Sequence, residues 1–193
     1  MNKQTLIQFI GNHLPASKET AAEIAAHFEE IEIAKHGFFL KENTISNNYL
    51  FLQDGFMRAF TFDIEGNEVT TNFYTANNIV FEVASFFNHT RSKENIQALT
   101  DCKGYSINFE QLNMLFHSIP EFREFGRTML VKGFVALKQR TLSLINESAE
   151  ERYDNLINTT PEIFQYAQLK HIASYLGVTD TSLSRIRREY LKK

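Results

Sequence analysis

Residues 169–188 read Leu-Lys-His-Ile-Ala-Ser-Tyr-Leu-Gly-Val-Thr-Asp-Thr-Ser-Leu-Ser-Arg-Ile-Arg-Arg, and this stretch admits few folds. Two helices that cross steeply need a small residue where they touch, and Ala173 supplies it. The tight turn four residues on needs a residue that tolerates the left-handed region, and Gly177 stands there. Ile172, Leu176, Val178, Leu183 and Ile186 fall where two such helices seal on each other, and all are apolar. Thr179 precedes the second helix as an N-cap, its hydroxyl placed to accept from a first-turn N–H. The pattern predicts a helix-turn-helix.

Charge follows the same division. The chain of 193 residues carries a net −3, yet residues 168–193 hold Lys170, Arg185, Arg187, Arg188, Lys192 and Lys193 against Asp180 and Glu189. That end is basic and the remainder acidic, the distribution expected if only the tail meets phosphate. The second helix should present Thr179, Asp180, Thr181, Ser182, Ser184, Arg185, Arg187 and Arg188. The N-terminal part of such a helix enters the major groove, so Thr181, Ser182 and Arg185 are the expected base readers. Arg185 has the fork geometry for a guanine edge. Arg187, Arg188, Lys170, Lys192 and Lys193 suit phosphates, or simply solvent.

Upstream the pattern changes twice. The first 30 residues read helical: Leu6, Ile7 and Ile10 form a short apolar face, and Pro15 interrupts it. Thr20-Ala-Ala-Glu23 resembles a capping box ahead of Ile24, Ala25 and Phe28. Residues 36–109 hold short β-rich runs separated by Asp54-Gly55, Glu65-Gly66-Asn67 and Asn77-Asn78. Runs of this length and spacing predict a small antiparallel barrel or sandwich. From Glu110 helical periodicity returns, with a long helix at 121–146 after Pro120. Leu130, Phe134, Leu137, Thr141 and Leu144 recur on it at coiled-coil spacing, beside a second stripe of Phe122, Phe125, Met129, Gly133 and Ala136. A helix apolar on two sides must be covered twice, by the β domain and by a second copy of the chain or by the rest of its own subunit. Ser148-Ala-Glu-Glu151 caps a following helix, and Thr160-Pro161 should start a shorter one. The expected domains are 1–146 and 147–193.

Several classes are excluded. The single Cys102 leaves no internal disulfide, zinc finger or cysteine-ligated iron–sulfur cluster within one chain. The six histidines, His13, His27, His36, His89, His117 and His171, are scattered, which argues against haem. A cupin-like metal oxygenase would need clustered His and carboxylate ligands, and 36–109 has no His-x-His spacing. The chain is therefore not expected to be an enzyme or to carry a cofactor. No membrane-length apolar run is present, and Met1-Asn2-Lys3-Gln4 does not open a signal peptide, so a cytoplasmic location is expected.

A β domain, a long helix and a C-terminal helix-turn-helix, in this order, resemble the cyclic-AMP receptor protein/FNR (Crp/Fnr) family of bacterial transcription regulators. The resemblance spans nearly the whole chain and rests best on Ile172–Ile186, with support from Ser148–Tyr153, Ile96–Leu99 and the strand–Gly–strand–Arg pattern of Tyr49–Arg58. It implies an α+β fold: a cyclic-nucleotide-binding-like jelly roll, a dimerisation helix, and binding to a two-fold symmetric operator. Double-stranded DNA, a second copy of the chain and RNA polymerase are the implied partners. The chain departs from the family at the base-reading positions, where cyclic-AMP-binding members have Arg and Glu and this sequence has Asp180 and Thr181. The sequence ends at Lys193, so no β wing is expected after the second helix.

It also departs in the sensor pocket. Nucleotide-binding members hold the cyclic phosphate with a Gly-Glu pair and an Arg-Ser pair. Here those places read Phe81-Glu82 and Ser92-Lys93, flanked by Arg91. Phe81 would crowd the phosphate, and Ser92 supplies no cation. Glu82 is either a pocket residue or, as the reading prefers, a surface or structural carboxylate. The reading speaks against cyclic AMP and leaves the effector open, including a regulator that acts through protein contacts or without any small molecule.

Overall fold

The computed structural model describes residues 3–14 and 17–191. Met1, Asn2, Pro15, Lys192 and Lys193, named above, lie outside the described residues. Two helices open the fold, α1 (Gln4–His13) and α2 (Lys18–Ala26). The capping expected at Thr20 is made instead by Ser17, whose hydroxyl accepts from the Thr20 N–H at 3.2 Å. Ser17 therefore sets where the helix starts, and Thr20 lies inside its first turn.

Eight strands follow: β1 (Glu29–Ile33), β2 (Phe38–Leu40), β3 (Asn48–Asp54), β4 (Met57–Phe62), β5 (Glu68–Tyr74), β6 (Asn78–Val80), then the short helix α3 (Val83–Asn88), β7 (Asn95–Ala98) and β8 (Cys102–Asn108). They form two antiparallel four-stranded sheets, ordered β1-β8-β3-β6 and β2-β7-β4-β5. This crossing order is a jelly-roll-like arrangement, as the family resemblance implied. β1 falls in a stretch whose reading as helix fails at its end. Three of its five residues are glutamates, poor strand formers, and it is stabilised as an edge strand by pairing with β8. Gly104 on β8 is required by close approach: a Cβ there would sit 2.2 Å from the Phe51 carbonyl oxygen. The expected turns at Gly55, Gly66 and Asn77 all have positive φ.

Leu50, Leu52, Met57, Val80, Ile96 and Ala98 fill the space between the sheets. A second cluster lies outside them. There Phe51, Tyr105 and Ile107 meet α1, α2, α4 (Phe109–Ser118) and the first turns of α5 (Pro120–Asn146) through Phe122 and Phe125. So one stripe of α5 is half covered: Phe122 and Phe125 are buried and Met129 is half-buried, while Gly133 and Ala136 are exposed. The coiled-coil stripe is bare. Phe134 is 68% and Leu137 61% exposed, and Leu130 and Leu144 are also exposed.

Four helices complete the chain: α6 (Ala149–Thr159), α7 (Ile163–Tyr166), α8 (Leu169–Leu176) and α9 (Asp180–Tyr190). The Ser148–Glu151 capping box forms reciprocally. Pro161 does not open α7 but lies in the turn before it, where the Pro161 carbonyl accepts from Phe164 N–H. Phe73 of β5, with Phe56 just before β4 and Leu99 just after β7, shares a third core with Tyr153, Leu156, Ile163, Ile172 and Leu183 of these helices.

Candidate nucleic-acid interface and sensor pocket

The α8–α9 unit is built from local signals. Gly177 adopts φ 70°, ψ 34° and ends α8, and Val178 N–H reaches back to the Ala173 carbonyl at 3.0 Å. Only Val178 and Thr179 separate that turn from α9. The Thr179 hydroxyl accepts from Ser182 N–H at 3.2 Å, capping the helix. Ile172, Ala173, Leu176, Leu183 and Ile186 are all buried, so the two helices are sealed on each other.

That sealing decides what α9 shows to solvent. Asp180, Thr181, Ser184, Arg185 and Arg188 are exposed. Thr181, Ser184, Arg185 and Arg188 recur at helical spacing and make one polar face. Ser182 and Arg187 are half-buried. The hydroxyls of Thr181 and Ser182 lie 2.9 and 3.0 Å from that of Thr179, so the capping network already engages them. Arg187 faces the Tyr153 hydroxyl. Lys170 is exposed on α8.

The opposite face of α8 docks on β5. Thr70 N–H donates to the Ser174 hydroxyl at 3.1 Å, which in turn lies 3.2 Å from the Thr70 hydroxyl. Buried Arg58 pairs with Glu68, and His171 Nε2 lies 3.7 Å from the same carboxylate. Burial, then the charges of Arg58 and Lys170, push the His171 pKa down to about 4, so this histidine is neutral in the fold. The Tyr175 ring meets Phe73 edge-on at 5.1 Å. No local pattern marked His171, Glu68 or Ser174; the lone His171 had no ligand spacing, and its partners lie about a hundred residues away.

In the barrel, the expected pocket residues are occupied with structure. The Phe81 ring packs 5.0 Å from Tyr49 and 5.4 Å from Phe86. The Glu82 carboxylate caps α3, accepting from Ala84 and Ser85 N–H at 3.0 and 2.7 Å. The Ser92 hydroxyl is buried and spent within its own turn, donating to the Glu94 carbonyl and accepting from Glu94 N–H. Arg91 and Lys93 are exposed. What the sequence reading did not single out is Glu94. Its carboxyl is pushed up by burial and shares a neighbourhood with Thr71, Glu82 and Arg140. An open cleft of about 850 Å³ lies elsewhere, between β5, the last turns of α5, and α6 to α8. Among the described residues no cluster of His, Cys, Asp and Glu could hold a metal ion. No described helix is long and apolar enough to cross a membrane.

Residues 30–118 match the cyclic nucleotide-binding domain family. No curated protein sequence matches the chain. Solved structures do. The c-di-GMP-responsive global regulator CLP of Xanthomonas campestris is similar at 14% identity and TM-score 0.72, over 91% of this chain and 92% of that one. FixK2 of Bradyrhizobium japonicum shares 14% identity at TM-score 0.73, over 86% and 85%. A crp/fnr-family regulator from Eubacterium rectale shares 16% at TM-score 0.71, over 93% and 88%. Residues 30–118 thus match the cyclic nucleotide-binding domain, and the chain as a whole has the fold of these regulators, one of them of the crp/fnr family.

Proposed function

We propose that the chain is a homodimeric transcription regulator that reads a two-fold symmetric DNA operator with α9. The observation that carries this is the polar face of Thr181, Ser184, Arg185 and Arg188, turned to solvent on a helix whose other side is sealed. Residues 1–146 serve as sensor and dimerisation domain and residues 147–193 as the DNA-binding domain. A second copy of the chain covers Leu130, Phe134, Leu137, Thr141 and Leu144. RNA polymerase is the further partner of such a regulator, and the cytoplasm its place. It is not an enzyme and needs no metal or iron–sulfur cofactor. Arg185 reads bases; Arg188, Lys170 and the terminal Lys192 and Lys193 hold phosphates.

A second reading concerns the effector. Phe81 sits in an aromatic cluster and Ser92 is committed to its own turn, which favours a regulator whose sensor takes no cyclic AMP, or acts without a small molecule or through protein contacts. Operator selection from a pool of random duplexes, followed by fluorescence anisotropy, tests the main reading. The wild type should enrich a palindromic site. Arg185→Ala should lose about 1–3 kcal/mol of discrimination at one base pair of each half-site. Equal, weak and unselective binding by both proteins would sink the proposal.

A further inference from the structure

We infer that Arg140 is a positioning residue for DNA reading: it ties the dimerisation helix α5 to the C-terminal end of α8 and thereby sets the direction in which α9 points. This rests on the reading of α9 given above. The last carbonyls of a helix have no partner within it, and a cation there is favourable. Two arginines from other elements fill that role at α8. Arg140 donates from Nη2 to the Tyr175 carbonyl at 2.9 Å while its guanidinium lies 4.4 Å above the Tyr175 ring. Arg152 of α6 donates from Nε and Nη2 to the Leu176 carbonyl at 3.1 and 2.9 Å, and from Nη1 to the Glu147 carbonyl just past α5. The contact is close on the apolar side too. A Cβ on Gly177 would stand 3.3 Å from Leu144 Cδ2, so α5 backs directly onto the turn. The Tyr175 ring is held in turn by Phe73 of β5. A movement of α5 therefore reaches the turn without passing through a flexible segment.

The lever is short and stiff. With a rise of about 1.5 Å per residue, the 11 residues of α9 span about 16 Å, so a rotation of about 10° at the turn displaces its far end by about 3 Å. That is close to the spacing of one base pair, enough to spoil two half-sites that must be met together.

The test uses the full chain with nitroxides on Lys132→Cys and Glu189→Cys, both exposed positions, labelled chains being diluted with unlabelled ones; buried Cys102 takes no label, and operator binding is measured on unlabelled protein. The parent gives one narrow α5–α9 distance. Arg140→Met keeps the stem on Tyr175 and removes the donors; it should melt as the parent does yet show a broadened distance. On the selected operator it should bind about tenfold more weakly and lose the preference for native half-site spacing over spacings changed by about one base pair. An unchanged distance distribution, or an unchanged spacing preference, overturns the inference. If Arg140→Met fails to fold, Arg140→Lys takes its place with the same two readouts, since one ammonium cannot both lie flat on the ring and donate to the carbonyl. If the unlabelled wild type selects no operator, DNA reading itself fails, and the distance measurement still decides whether Arg140 orients α9.

Discussion

Acidification should loosen the joint between α8 and the sensor barrel through His171. The ring is 6% exposed, and burial together with Arg58 and Lys170 holds its pKa at about 4 against the ordinary 6.5, with Glu68 opposing. Because the folded pKa is lowered, the unfolded chain binds the proton first. The contribution of His171 to stability is therefore complete above about pH 6.5 and is lost as pH falls from there toward 4. Between about pH 7 and pH 5 the linkage relation gives a loss of about 2 kcal/mol. With a urea dependence of about 2 kcal/mol per molar, that is a fall of about 1 M in the unfolding midpoint. The assay is urea unfolding of wild type and His171→Gln at both pH values and one protein concentration. Other carboxylates titrate in both proteins, so the difference of the two pH effects isolates His171. Glutamine does not titrate, and its midpoint should fall less by about that 1 M. Equal pH dependence in the two proteins would refute the argument that His171 is held neutral at this joint.

Two more outcomes follow from exposed and filled places. Phe134→Glu puts a charge into the bare stripe of α5 and should weaken dimerisation by about a hundredfold, the equivalent of one buried aromatic side chain, as read by analytical ultracentrifugation. A wild type that sediments as a monomer would end the dimer proposal. Cyclic AMP should leave the thermal midpoint unchanged, because Phe81 fills its neighbourhood and the one O–H donor of Ser92 is already given to the Glu94 carbonyl; a shift of several degrees would mean that the barrel rearranges to accept it.

The elements that could be read in advance share a scale. Gly177, the Thr179 cap, the Ser148–Glu151 box and the turns at Gly55, Gly66 and Asn77 are set by interactions within about four residues. The misread places are those where a distant partner decides. β1 is a glutamate-rich strand because β8 accepts it at the sheet edge. Six residues of α3 carry too short a period to announce a helix, and which structural role Glu82 fills, the cap of that helix, was not legible.

The sequence by itself determined the order of parts, the sealed α8–α9 pair and the replacement of the phosphate-holding residues, since all of these are matters of residue type at short spacing. Only the tertiary structure decided that α8 lies on β5, that His171 is buried beside Arg58 and Glu68, that Phe81 is stacked into an aromatic cluster, and that Arg140 reaches the Tyr175 carbonyl 35 residues away. Those contacts join segments whose separation leaves no periodic trace, and they form because the third core buries Phe56 and Phe73 of the β domain together with Ile172 and Leu176 of α8.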